Sequence, residues 1–317
     1  MPTPMRAAPP VPSPAPLPTD GTGMATDNAR AIVLMVGSMG LFAVDDMLIK
    51  IAAAVEHAPA GVGHVLIVQG VVGTLVFGAL MLRDGTRLTR DLVTDRFILL
   101  RTLGDIIAAT GFVTALTLME LANASAILQI QPLVVTLAAA WFLGERVGWR
   151  RYTAVAVGFV GVLIVVRPGL AGFTWASLLV LVGVVGLTLR DLSTRVLPAR
   201  HPTNAVVTFV SLAIIPLGVL LLLVMGDRWL LGWEALSVLL AGAGFGVAGY
   251  WAITQAMRLG EVSAVAPFRY SRLVAAIVLG VVVLGERPDL PMWIGSALIV
   301  GAGVYALRRE AKIKAAD

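Results

Sequence analysis

Apolar residues run through this chain in long blocks, each closed by a short polar or basic interval. Ten blocks stand out, at 31–55, 60–82, 97–119, 122–143, 152–166, 173–194, 204–225, 233–257, 262–284 and 291–307. A helix needs about 20 residues to cross the roughly 30 Å hydrocarbon core of a bilayer. The fifth and tenth blocks are shorter, but they are glycine-rich and uninterrupted by charge. The pattern predicts an all-α integral membrane protein with ten transmembrane helices.

The blocks also repeat. "LANASAILQIQPLVVTLAAAWFLGER" at 121–146 resembles "LGEVSAVAPFRYSRLVAAIVLGVVVLGER" at 259–287, from an opening Leu, through Ser-Ala, to a closing Leu-Gly-Glu-Arg. The second copy is three residues longer between these landmarks. A glycine-rich apolar block follows each. The chain divides into two five-helix halves, 31–168 and 172–308. Five is odd, so the second half enters the membrane from the opposite face, which makes an inverted-topology repeat. Outside the halves lie a Pro-rich stretch at 1–27, expected to be a disordered cytoplasmic tail, and a basic tail at 309–317.

Composition agrees. The chain is 58% hydrophobic and 14% charged, where a soluble domain carries about 25% charged residues. The net charge of +5 does not point to nucleic acid, because the basic residues collect in alternate loops. Arg83, Arg87, Arg90 and Arg96 follow the second block. Arg146, Arg150 and Arg151 follow the fourth, and Arg308, Arg309, Lys312 and Lys314 follow the tenth. The intervening loops hold Arg167, Arg228 and Arg287. The positive-inside rule then places both termini in the cytoplasm, for a multi-pass protein of the inner membrane. There is no cysteine, and the three histidines lack metal-ligand spacing, so no cofactor, metal or thiol chemistry is expected.

Charges inside the blocks are the candidate chemistry, since each costs about 2.5–3.5 kcal/mol near a bilayer centre. Asp46 and Lys50 share a face of the first helix, and Asp191 and Arg195 share one in the sixth at the same spacing. Such i,i+4 residues can pair. Inverted topology makes them mirrored pairs at opposite ends of a central pathway, where they either gate it or pin helix register. Asp45 is left over, a candidate for proton coupling; its counterpart is Arg190. Arg101 and Asp105 are a third candidate pair. In the ninth block "APFRYSRL" places Pro267, Arg269, Tyr270 and Arg272 within the span. A proline there exposes polar backbone to a cavity. Arg269 and Tyr270 are read as substrate ligands, and Arg272 as partner of Asp46 or Asp105. Counted from the shared Ser-Ala, Gln131 aligns with Arg269, so Gln131 and Gln129 join the substrate set, with Tyr250 and Trp251 as candidate cavity walls. His64 and Gln69 add polarity to the second block.

Two halves that each end in "LGER" plus a glycine-rich helix, preceded by "PLVVTLAAAWFLGE" and "APFRYSRLVAAIVLGVVVLGE", resemble the EamA-type transporters, the ten-helix branch of the drug/metabolite transporter superfamily. The resemblance covers 31–308. It implies a central cavity lined by the first four helices of each half, with the fifth and tenth at the periphery. Their small residues (Ala154, Gly158, Gly161, Ala297, Gly301) fit either packing within one chain or a homodimer contact. "APFRYSRL" resembles a subgroup assigned to riboflavin, S-adenosylmethionine or amino-acid-related metabolites. The function expected is therefore secondary active transport of a small organic metabolite by alternating access. An excess of base within the helices favours an anionic or zwitterionic solute. The alternative is an intramembrane enzyme of lipid or prenyl metabolism, since "DDMLI" is similar to the Asp-Asp-x-x-Asp of prenyltransferases. Position 49, however, is Ile, and no second acidic cluster is present.

Overall fold

The structure, a computed structural model, describes residues 21–142, 149–169, 174–198, 200–260 and 265–314. The described residues are helical, with no strand among them. In chain order the helices are α1 (Gly21–Ala53), α2 (Val62–Arg83), the short α3 (Arg90–Thr94), α4 (Arg96–Leu118), α5 (Leu121–Leu128) and α6 (Gln131–Phe142). They continue with α7 (Trp149–Val166), α8 (Trp175–Arg195), α9 (Thr203–Met225) and α10 (Trp233–Leu259). A 3-10 turn (Ala266–Tyr270), α11 (Ser271–Val282) and α12 (Leu290–Lys314) complete the set. Seven spans among the described residues are long and apolar enough to cross a membrane, with Tyr152–Val166 and Leu290–Ala306 as shorter apolar helices. Large apolar side chains such as Leu75, Val185 and Val224 stay exposed around the outside. An apolar exterior of this kind is suited to lipid, not water. This is an all-α membrane protein.

Three features depart from the sequence expectation. First, α1 begins at Gly21, so the last residues of the supposed tail at 1–27 are helical; residues 1–20 lie outside the described set. Similarly, α12 carries helix through Lys314, into the basic segment. Third, the fourth and ninth blocks are each broken. The fourth parts between Leu128 and Gln131, just ahead of Pro132, and the ninth passes through the 3-10 turn that contains Pro267. Proline has no N–H to donate, and its ring crowds the carbonyl four residues back, so the α-helical ladder is interrupted there.

The halves are interleaved. The most extensive helix pairings are α1 with α10, α4 with α8, α2 with α9, and α7 with α12. In terms of the ten blocks these are one with eight, three with six, two with seven and five with ten. Exchanging each block for the one five places along returns the same set of pairs. Close approach at glycine makes such pairs possible. A Cβ at Gly104 of α4 would stand 2.7 Å from the carbonyl oxygen of Gly186 on α8. One at Gly161 of α7 would stand 2.8 Å from that of Gly295 on α12.

Candidate functional site

The two broken helices meet. Gln129, at the first break, donates its side-chain amide to the carbonyl of Arg269, at the second, at 3.3 Å. The helices that leave the breaks, α6 and α11, are both 12 residues long. Counted back from the two Leu-Gly-Glu-Arg motifs, Gln131 and Arg272 each stand twelve positions ahead of the motif. The three extra residues of the second half fall before that point, up to and including the 3-10 turn. The counterpart of Gln131 is therefore Arg272, which corrects the Gln131–Arg269 alignment made from the Ser-Ala end.

The contacts bear this out. Arg272 donates to the Asp46 carboxylate at 2.6 Å through one terminal nitrogen and 3.2 Å through Nε. Its guanidinium carbon lies 5.5 Å from the centre of the Phe42 ring and 5.6 Å from that of Phe112, in cation–π range. In the other half Gln131 donates to Asp191 at 2.6 Å. The mirrored pairs are thus Asp46–Arg272 and Asp191–Gln131, each joining the first helix of one half to a broken helix. Asp46 and Lys50 do not pair with each other. Lys50 lies 3.6 Å from Glu286 and donates to the carbonyl of Met119, while Asp191 takes Arg190 at 2.8 Å. Arg195 is exposed at the end of α8. Arg101 and Asp105 do pair, at 3.0 Å, and Arg190 reaches the other oxygen of Asp105 at 3.7 Å.

Some of these groups border a cavity of about 300 Å³, whose walls hold Asp45, Asp46, Asp105, Arg101, Arg190 and Arg272. A second cavity of about 240 Å³ adjoins it, lined by Phe42, Phe77, Ser211 and Gly246 among others. Asp45, Gln69 and Tyr250 line both. Tyr250 meets Phe77 edge to face, with ring centres 5.1 Å apart. Asp45 is buried, and Gln69 Nε2 donates to both its oxygens at 3.2 Å. Opposite Asp45, α10 presents Gly242 and Gly246. A Cβ at either would come within 3.0 or 2.8 Å of the carboxylate oxygens. The glycine face of α10 is the space Asp45 occupies.

The charge balance changes as well. Three carboxylates and three guanidiniums border the larger cavity, so its walls are neutral when all are ionised, with no excess of base. Arg269 lines neither cavity, and among the described residues no carboxylate lies within 4.0 Å of its guanidinium. Gln129 and Tyr270 also lie outside both sets of walls. Tyr270 is buried against Gly303 of α12, away from the cavity, and its hydroxyl has no hydrogen-bond partner among the described residues. Trp251, next to Tyr250, is exposed on the outer face. His64 serves α2, accepting from Gly61 N at 3.1 Å and meeting the Arg228 carbonyl at 2.8 Å.

Glu286, whose Leu-Gly-Glu-Arg motif marks the repeat, makes contacts that its place in the sequence does not announce. Its carboxylate accepts the backbone N–H of Leu121 at 2.6 Å and of Ala122 at 3.1 Å, capping the open start of α5. Gly280 leaves room for it. Glu286, from the second half, thereby ties α5 and Lys50 of the first half together, beyond the cavity residues Ile49 and Leu128. Nearby, burial and then the charge of Glu286 push the Glu120 carboxyl above its ordinary range. Glu145, in the first copy of the motif, lies outside the described residues.

The fifth and tenth blocks pack on each other within one chain. Gly161 meets Gly295, Gly158 meets Leu133 and Ala302, and Ala154 is buried. Ala297 and Gly301 alone of the expected small residues face outward.

Comparison with known proteins accords with this geometry. The model of the EamA-like transporter family matches the chain twice, over residues 29–167 and 174–308. A riboflavin transporter of Rhizobium johnstonii is 30% identical over 208 residues, 65% of this chain and 68% of the relative. A pseudopaline exporter of Pseudomonas aeruginosa is 29% identical over 286 residues, 89% and 96% of the two chains. An S-adenosylmethionine uptake transporter of Rickettsia felis is 22% identical over 64% and 68%. A solved crystal structure superposes with a TM-score of 0.59 at 20% identity, covering 89% of this chain and 98% of that one, a likeness of fold. Two copies of the family pattern, interleaved helix for helix, make this chain a member of the EamA-like transporter family.

Proposed function

We propose that this protein is a secondary active transporter of the inner membrane that moves a small zwitterionic metabolite with an aromatic or heterocyclic part, by alternating access. The observation that carries the reading is a pair of adjoining cavities, the larger lined by Leu128 and Arg272 of the broken helices, with balanced charge in that one and aromatic rings in both. Phe42, Phe77 and Tyr250 offer faces and edges to a flat ring. Asp45 and the Arg101–Arg190 side offer opposite charges to a dipolar solute. Mirrored broken helices at mid-membrane are the recurring design of carriers that rock around a fixed site.

Each remaining residue takes a role. Asp46–Arg272 and Asp191–Gln131 hold the first helix of each half to the broken helix that lines the pathway. Lys50–Glu286 closes one end, the end that basic loop residues mark as external with both termini cytoplasmic. Arg269 is the guanidinium left for a substrate carboxylate when the opposite conformation opens its surroundings. The relatives named as riboflavin and S-adenosylmethionine transporters support a heterocyclic solute of this size, and the second supports a zwitterionic one. They also weigh against the enzyme reading, as does Arg272, which occupies the Asp46 carboxylate a diphosphate-bound metal would need.

Uptake into proteoliposomes tests the proposal, with riboflavin and S-adenosylmethionine as radiolabelled probes. Accumulation above empty liposomes, reduced by Tyr250→Ala and Arg269→Ala, is expected. No accumulation of either probe by folded protein rejects this substrate class.

A further inference from the structure

Every guanidinium bordering the larger cavity already has a carboxylate. Arg272 holds Asp46, and Arg101 and Arg190 share Asp105, with Asp191 on Arg190 as well. Among the described residues Asp45 has none, and it receives only the neutral amide of Gln69. The groups that face it across the cavity are Asp46 on its own helix, Arg101 and Asp105 on α4, Arg190 on α8, Tyr250 on α10 and Arg272 on α11. All of the charged ones are engaged with one another. The α10 wall against Asp45 is glycine, with no side chain to donate. An ionised carboxylate so placed at membrane depth lacks the partner that such groups ordinarily have.

We infer that Asp45 is an exchange site for a proton and the cationic group of the solute, which makes the transporter a proton antiporter. This deepens the transporter reading and rests on it. In the solute-free state the carboxyl carries a proton. When a solute enters, the O–H bond breaks, the proton leaves to water on the open side, and the carboxylate binds the solute's ammonium or sulfonium group. Only a neutralised Asp45 crosses between conformations, so a solute moving one way requires a proton moving the other. A metal ion does not fit the same place. Hard cations need several oxygen ligands, whereas Gln69 presents its nitrogen, and among the described residues no three acidic or histidine side chains are placed to hold a metal ion. The repeat explains why the site is single: the mirrored position is Arg190, a permanent cation already held by two carboxylates.

Two measurements on the wild-type, full-length protein test this. Dicyclohexylcarbodiimide reacts with protonated carboxyl groups in apolar surroundings, and mass spectrometry locates the adduct. At neutral pH it should modify Asp45 and spare Asp46, with labelling cut several-fold by S-adenosylmethionine as the cationic probe. Asp45 left unmodified in folded protein overturns the inference. In proteoliposomes, an inside-acid pH gradient should raise uptake of that probe several-fold. Uptake that ignores the gradient also overturns the inference while leaving the transporter intact. Asp45 labelled but neither probe transported rejects the substrate class and leaves the proton site standing.

Discussion

The Arg272 guanidinium holds the Asp46 carboxylate at 2.6 Å, and Gln131 holds Asp191 at the same distance in the mirrored place. One half of the repeat therefore uses an ion pair where the other uses a neutral amide. Both link the first helix of a half to the helix that leaves a break, which is where a rocking motion would apply its force.

That relationship predicts a mutational asymmetry. Breaking a buried ion pair by removing one partner costs about 3–5 kcal/mol, because the other charge is stranded. Arg272→Ala should therefore lower the melting temperature in detergent sharply. The double substitution Asp46→Asn with Arg272→Gln, which removes both charges and leaves two amides in contact, should recover most of the loss. A double variant no more stable than Arg272→Ala contradicts the assignment.

The glycines opposite Asp45 predict a local loss of function. Gly246→Ala places a methyl group 2.8 Å from the carboxylate oxygen, so Asp45 must move. Uptake should fall at least several-fold with little change in melting temperature. Gly244→Ala, where a Cβ meets nothing within 4 Å, should leave uptake unchanged. Equal effects of the two would show that the Asp45 position is unimportant.

Glu286 predicts a shift between conformations. Loss of a helix N-cap costs about 0.5–2 kcal/mol, and Glu286→Gln also removes the charge that faces Lys50. On the cysteine-free background, Ile49→Cys beneath the contact should react faster with an external impermeant maleimide when Glu286→Gln is added. An unchanged rate means the contact does not close that end.

At Asp289 the Arg167 guanidinium, donating to the carboxyl, holds it below the usual carboxylate range, helped by the N–H of Met292. A lowered folded-state value stabilises the fold above the unfolded value of about 3.9, and the contribution disappears as pH falls through the lower folded value. Wild type should thus lose melting temperature below about pH 4 more steeply than Asp289→Asn, which keeps the cap but has no charge to lose. Parallel pH profiles would contradict this.

Much of this architecture was legible in the sequence, because hydrophobic block length and the repeated Leu-Gly-Glu-Arg report on membrane crossing and on the duplication directly. The pairing of charges was not. Asp46 and Lys50 share a helix face, but their charged partners lie more than two hundred positions away, and spacing along one helix carries no information about that. The alignment slipped at Arg269 because the insertion sits at the helix break, where backbone geometry, not residue identity, sets the register. Glu286 read as a marker of repetition, since the N–H groups it caps belong to the other half. Tyr270, polar and next to Arg269, has the sequence context of a ligand, but it packs against Gly303 of a helix more than thirty positions on, which local sequence does not report.

Alternating access requires the cavities beside Asp45 to open to each face in turn, and Ile214, which lines both, is placed to report it. A single Ile214→Cys on the cysteine-free chain can be challenged with an impermeant maleimide in right-side-out and in inverted membrane vesicles. Labelling from both faces is predicted, with the external rate increased by Glu286→Gln and the opposite rate decreased. Labelling from one face only, with and without that substitution, would mean that the cavities do not alternate between the two faces.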